Sequence, residues 1–126
     1  KGRLFVQTLL PQQPEVRLVS GDDLYRYGGQ AYPPRRDTGP APECRIEISP
    51  PRASAEDFFL NVLTTADDKT GSVPLAQLKL DGTRVQVAVA GAQLVFRTDA
   101  VGGAITLNGK QFPYADGIWM NAVGQP

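Results

Sequence analysis

The chain has no histidine among its 126 residues and only one cysteine, Cys44. Without imidazole, the Ser–His–Asp and Cys–His arrangements of nucleophilic catalysis are excluded. One cysteine and no histidine also cannot close a zinc shell, and an internal disulfide is impossible. A net charge is missing too: thirteen Lys and Arg cancel thirteen Asp and Glu. Nucleic-acid binding needs a concentrated basic surface. The nearest approach here is Arg35-Arg36, followed at once by Asp37, so no nucleic-acid partner is expected. No apolar run approaches the ~18–20 residues of a membrane helix, and there is no charged-then-apolar leader. There is no G-x-x-x-x-G-K-[ST] loop, and Gly102-Gly103 precedes a strand rather than a phosphate-cradling helix. No cofactor or metal site is expected. Asp22-Asp23 and Asp67-Asp68 lack the alternating spacing of a calcium loop and read as solvated loop acids.

What is present reads as strands. Thirteen glycines and eleven prolines favour many short elements joined by turns. The length suits one domain of about 100–150 residues, which can bury a core without staples. Arg3–Leu10 (RLFVQTLL) is rich in β-formers and ends at Pro11. Leu4, Val6 and Thr8 fall on one face, with Phe5, Gln7 and Leu9 on the other. Val16–Val19 follows, then a long irregular stretch from Gly21 to Pro42 that is longer than an ordinary connection. Glu43–Ser49 alternates, placing Cys44, Ile46 and Ile48 inward and Arg45 and Glu47 outward. On that reading Cys44 is a small buried hydrophobe. Phe58–Leu63 (FFLNVL) is apolar on both faces, the pattern of a central strand covered on both sides. Ser54 and Asp57 have capping-box spacing, but the segment is too short before its β-branched continuation to be a helix.

Two hairpins are announced directly. Asp81-Gly82 between Leu75–Leu80 and Thr83–Val89 predicts a type I′ turn, and Asn108-Gly109 predicts a second hairpin between Ile105–Leu107 and Lys110–Phe112. Between them Gly91 turns the chain into Gln93–Arg97. The whole pattern predicts an all-β, antiparallel two-sheet β-sandwich spanning 1–126 as a single domain. Tyr25, Tyr27 and Tyr32 cluster in the long loop and are the candidate carbohydrate-binding residues, since amphipathic rings can stack on sugars. Tyr114 and Trp119 lie near the end, with Trp119 in GIWM expected as a core plug.

Three pieces carry a family resemblance: Gly2–Pro11 (GRLFVQTLLP), Val16–Gly21 (VRLVSG), and Glu43–Pro50 with Asp57–Leu63 (ECRIEISP and DFFLNVL). In order and spacing they resemble the C-terminal β-sandwich region of heparinase II/III-like polysaccharide lyases, over roughly the first half of the chain. The resemblance implies an accessory domain whose partner is the catalytic domain of the parent enzyme, with acidic polysaccharide as a further contact and a periplasmic or secreted location. In that family the tyrosine and histidine that perform elimination lie N-terminal to this region, so no catalytic residue is carried over and no complete active site is expected. Family members often have histidine where this chain has Asn61. The absent initiator methionine fits a C-terminal fragment of a larger protein. The alternatives are a stand-alone carbohydrate-binding module and a protein-interaction sandwich unrelated to sugars.

Overall fold

The computed structural model describes residues 2–36, 39–40, 42–115 and 118–119. In chain order the strands are β1 (Gly2–Leu10), β2 (Glu15–Val19), β3 (Arg26–Tyr27), β4 (Gln30–Ala31), β5 (Arg45–Ser49) and β6 (Leu60–Asp67). They continue as β7 (Gln77–Asp81), β8 (Arg84–Val89), β9 (Ala92–Arg97), β10 (Gly103–Leu107), β11 (Lys110–Ala115) and β12 (Ile118–Trp119). A single 3₁₀ turn, Gly21–Asp23, interrupts them, and the described residues include no α-helix. Every pairing is antiparallel. The chain is therefore all-β, as its alternating pattern predicts. Contacts divide it into two compact units: residues 1–10 with 58–126, the sandwich unit, and Pro11–Asp57, the insert.

In the sandwich unit a β1–β6 ribbon lies against a six-stranded sheet of order β12-β11-β10-β9-β8-β7. Leu9, Ala76, Val85 and Val87 are buried between the layers, with Leu60, Val62, Leu94 and Phe96 packed around them. Val85, Val87 and Val89 share one face of β8, so a period of two delivers all three to the core. Gln7 also faces inward, and its amide is matched to backbone. Gln7 Nε2 donates to the Ala76 carbonyl at 2.9 Å and Gln7 Oε1 accepts from the Ala76 N–H at 2.7 Å. That side chain takes the place of a paired strand residue.

Several local expectations change. β6 is not a central strand: among the described residues it pairs only with β1, and its exposure alternates strictly along its length. Phe58 and Phe59 precede the strand, which instead runs on to Asp67. Two of the six residues in the window read as apolar on both faces are thus lead-in. The first hairpin turn is shifted by one residue. Asp81 pairs with Arg84 inside the ladder, leaving Gly82-Thr83 in the turn. Gly82 has φ +56° while Thr83 is not in the positive-φ region, so the turn is not type I′, which needs both. The Asn108-Gly109 turn does form as predicted, with φ +51° and +75° and Leu107 opposite Lys110. Gly103 carries the closest approach in the sheet, since a Cβ there would stand 2.1 Å from the Val95 carbonyl oxygen.

In the insert, β2 pairs with β5 and β3 with β4. The stretch 21–42, expected to be irregular, holds a tight hairpin whose two loop residues, Gly28 and Gly29, have φ +56° and +80°. Both signs suit the right-handed twist of the flanking residues and glycine adopts them without a Cβ penalty. Ser54 Oγ donates to the Glu56 carbonyl and accepts from the Glu56 N–H. That local turn ends any helical start there.

Candidate functional site

On β5 only Ile48 of the residues expected inward is covered, and it is half-buried. Ile46 is exposed, while Arg45 and Glu47 are each less than a third exposed. Cys44 lies before the strand and is exposed, not buried. The cause is Arg45. Its Nε donates to Glu47 Oε1 at 3.0 Å and its Nη2 to the same oxygen at 2.7 Å. Nη2 also donates to the Arg26 carbonyl and Nη1 to the Asp23 carbonyl, each at 2.6 Å, with Leu24 O as a further acceptor for Nη1. A guanidinium has five N–H donors in a rigid fork, and this one has five acceptor contacts. Burying the charge is offset only because every donor finds an acceptor. The polar side of β2–β5 therefore packs on its own 3₁₀ turn, and Val16, Leu18 and Ile46 are left on the exposed side.

This arrangement shapes a cleft of about 330 Å³ in the insert, lined by Arg17, Asp23, Arg26, Tyr27, Gly28, Gly29, Arg45 and Glu47. Arg17 stands directly opposite Glu47 across the strands. Its guanidinium is 3.6 Å from Glu47 Oε2 and its side chain is 71% exposed, so the pair is loose and solvated. Arg26 is exposed and forms no ion pair among the described residues. Of the three arginines Arg45 is structural, Arg17 is loosely paired with Glu47, and Arg26 has no ion pair among the described residues.

The three tyrosines meet on the β3–β4 hairpin. Tyr27 pairs with Gln30, and the next rung but one is made by the Tyr32 N–H donating to the Tyr25 carbonyl at 2.7 Å. Residues opposite one another, and those two apart, share a side of a ribbon, which assigns Tyr25, Tyr27 and Tyr32 to one side. Tyr32 donates its hydroxyl to Gln30 Oε1 at 3.1 Å across that side. Tyr25 is half-buried, Tyr32 is exposed and Tyr27 is 74% exposed; of the three only Tyr27 lines the cleft. Reading the sequence alone missed Arg17, Arg26 and the organising role of Arg45. Their proximity depends on β2 pairing with β5 across the whole loop. The Gly28-Gly29 pair was the one local signal for the hairpin.

Asn61 sits on the exposed side of β6 and accepts from the Thr8 hydroxyl at 2.8 Å. The Asp67 backbone carbonyl closes a turn by accepting from the Thr70 N–H at 3.0 Å. No group of three or more potential metal ligands occurs among the described residues. Asp37, Gly117 and Met120 lie outside the described residues. For Tyr114 and Trp119 only backbone pairing is described, Tyr114 with both Gly103 and Trp119, so the core-plug reading of Trp119 falls outside as well. No protein-family model, curated protein or solved structure matches the chain.

Proposed function

We propose that the chain is a non-catalytic accessory β-sandwich of a larger polysaccharide-degrading enzyme of the heparinase II/III-like kind, and that its insert contacts acidic polysaccharide. The observation that carries the reading is the cleft, whose lining includes the exposed Tyr27 together with Arg17 and Arg26, on a frame held by a fully engaged Arg45. An amphipathic ring supplies a stacking face with a polar tip, and solvated guanidinium groups suit the carboxylates or sulfates of an acidic glycan bidentately. A periplasmic or secreted location follows from the same reading. Packing against a catalytic part is supported by a second feature. Leu4, Val6 and Leu63 stand exposed together on the outer side of the β1–β6 ribbon, and contiguous apolar surface of this kind marks an interaction site.

Calorimetric titration with polygalacturonate and heparin oligosaccharides tests the glycan reading. Binding should weaken as salt rises, because the attraction is partly between exposed charges. Replacing Arg17 and Arg26 together by Ser, or Tyr27 by Ala, should reduce affinity about tenfold, equivalent to about 1.4 kcal/mol. No binding to any acidic glycan would overturn the glycan contact. Incubation of the chain with uronate polysaccharides should give no rise in ultraviolet absorbance from unsaturated products; a sustained rise would overturn the non-catalytic assignment.

A further inference from the structure

The outer side of the six-stranded sheet is ordered by register into rows that cross the strands. One row runs Gln77, Ala88, Gln93, Thr106, Gln111 through successive Cα partners from β7 to β11. Two residues along the strands lies a second row, Lys79, Gln86, Val95, Ala104, and beyond it Asp81, Arg84, Arg97. Intervening residues such as Val85 and Val87 are buried in the core, so strand alternation puts these rows on the face away from it. Along this face run two hollows. One, of about 460 Å³, is lined by Arg84, Val95, Arg97, Ala104 and Gln111 among others. The other, of about 300 Å³, is lined by Gln77, Lys79, Gln86 and Gln93 and shares Val95 with the first. The floor is small: Val95 and Ala104 are half-buried, whereas Gln77, Gln93, Gln111, Lys79 and Arg84 are exposed.

We infer that this face is a groove for an extended acidic glycan chain, a second contact that rests on the polysaccharide reading above. An amide offers both a donor and an acceptor, as a sugar hydroxyl does. None of the side-chain hydrogen bonds among the described residues uses Gln77, Gln86, Gln93 or Gln111. Five strands at about 4.8 Å spacing span about 19 Å from β7 to β11, long enough for several consecutive sugar rings. The amides stand on paired strands, which hold their spacing better than loops do. The cations decide the ligand class. Arg97 is tied to Asp99, with Nε–Oδ1 at 2.9 Å and Nη2–Oδ2 at 2.8 Å. Lys79 and Arg84 form no ion pair among the described residues, so they are available to carboxylates along the glycan.

The test is nitrogen-15 NMR of the full 126-residue chain titrated with hexagalacturonate, and with cellohexaose as the neutral counterpart. Saturable shifts are expected at Gln86, Gln93, Val95 and Ala104 with the acidic hexamer. The double variant Gln86→Ala/Gln93→Ala should bind about tenfold more weakly. A second variant, Lys79→Gln/Arg84→Gln, keeps the stems and removes the charges; it should weaken hexagalacturonate binding while the spectrum stays dispersed. Shifts confined to the Tyr27 cleft, with both variants binding normally, would overturn the groove and leave the cleft reading intact. Equal binding of cellohexaose on this face would overturn the acidic class. No shift anywhere with hexagalacturonate would overturn the groove, and polygalacturonate as the ligand of either site.

Discussion

Gln7 faces the core from the middle of β1, and its amide is matched by a backbone amide on an adjoining segment. Leucine has a similar volume but leaves the Ala76 N–H and C=O unpaired in a buried position. Orphaned groups of this kind cost about 1–3 kcal/mol, so Gln7→Leu should lower stability by that amount in urea denaturation, despite adding apolar surface. Ala90 presents the opposite case. It sits at φ +47° in the β8–β9 turn, where an L side chain costs roughly 1–2 kcal/mol. Ala90→Gly should recover part of that, less the entropy of the freer unfolded chain, and raise the melting temperature by a few degrees. The hydrogen bond from Arg97 holds the Asp99 carboxyl below its ordinary range. A lowered folded-state pKa means that the contribution is present above the unfolded value and is lost as pH falls through the folded one. Both side chains are well exposed, so the effect on stability is small and screened by salt. Carbonyl-carbon NMR should show Asp99 titrating low, returning to its ordinary range in Arg97→Gln.

Elements differ in how far their making is local. The β10–β11 hairpin was legible because Asn108-Gly109 specifies its own turn. The β7–β8 turn slipped by one because Asp81 prefers a rung opposite Arg84 to a place in the loop. Alternation in Glu43–Ser49 was visible, but which side would be covered was not. The covering is done by carbonyls of Asp23, Leu24 and Arg26, 19 to 22 residues away in sequence from Arg45. The candidate site was legible to the same extent: the tyrosines are neighbours along the chain, whereas the arginines meet only through long-range pairing. Arg45 is therefore the residue on which the insert's polar side depends. A lysine in its place would keep the charge but offers three donors from one point, too few for carbonyls on three residues and a carboxylate. Arg45→Lys should speed amide exchange at Leu24 and Tyr32 by about tenfold or more while leaving β7–β11 protection unchanged. Equal protection in both proteins would remove Arg45 from that role.

At the scale of the whole molecule the question is where apolar surface remains uncovered. The β1–β6 ribbon buries Leu9 and half-buries Leu60 and Val62 on one side, yet shows Leu4 at 58% and Leu63 at 62% exposure on the other. Folding alone gives no reason for leucine at those positions, since surface substitutions there change stability by less than about 0.5 kcal/mol. A contact with a partner surface, as the accessory-domain proposal expects, would give one. In the isolated chain that surface meets water, so an environment-sensitive dye such as anilinonaphthalene sulfonate should bind to the native state. Leu4→Ser/Leu63→Ser should lower the dye signal while urea denaturation shows nearly unchanged stability. The loss should be partial, because Val16, Leu18 and Ile46 form a separate exposed group on the insert. A large fall in stability with no change in dye binding would mean that the two leucines serve the core rather than a partner, and the accessory reading would lose its second support.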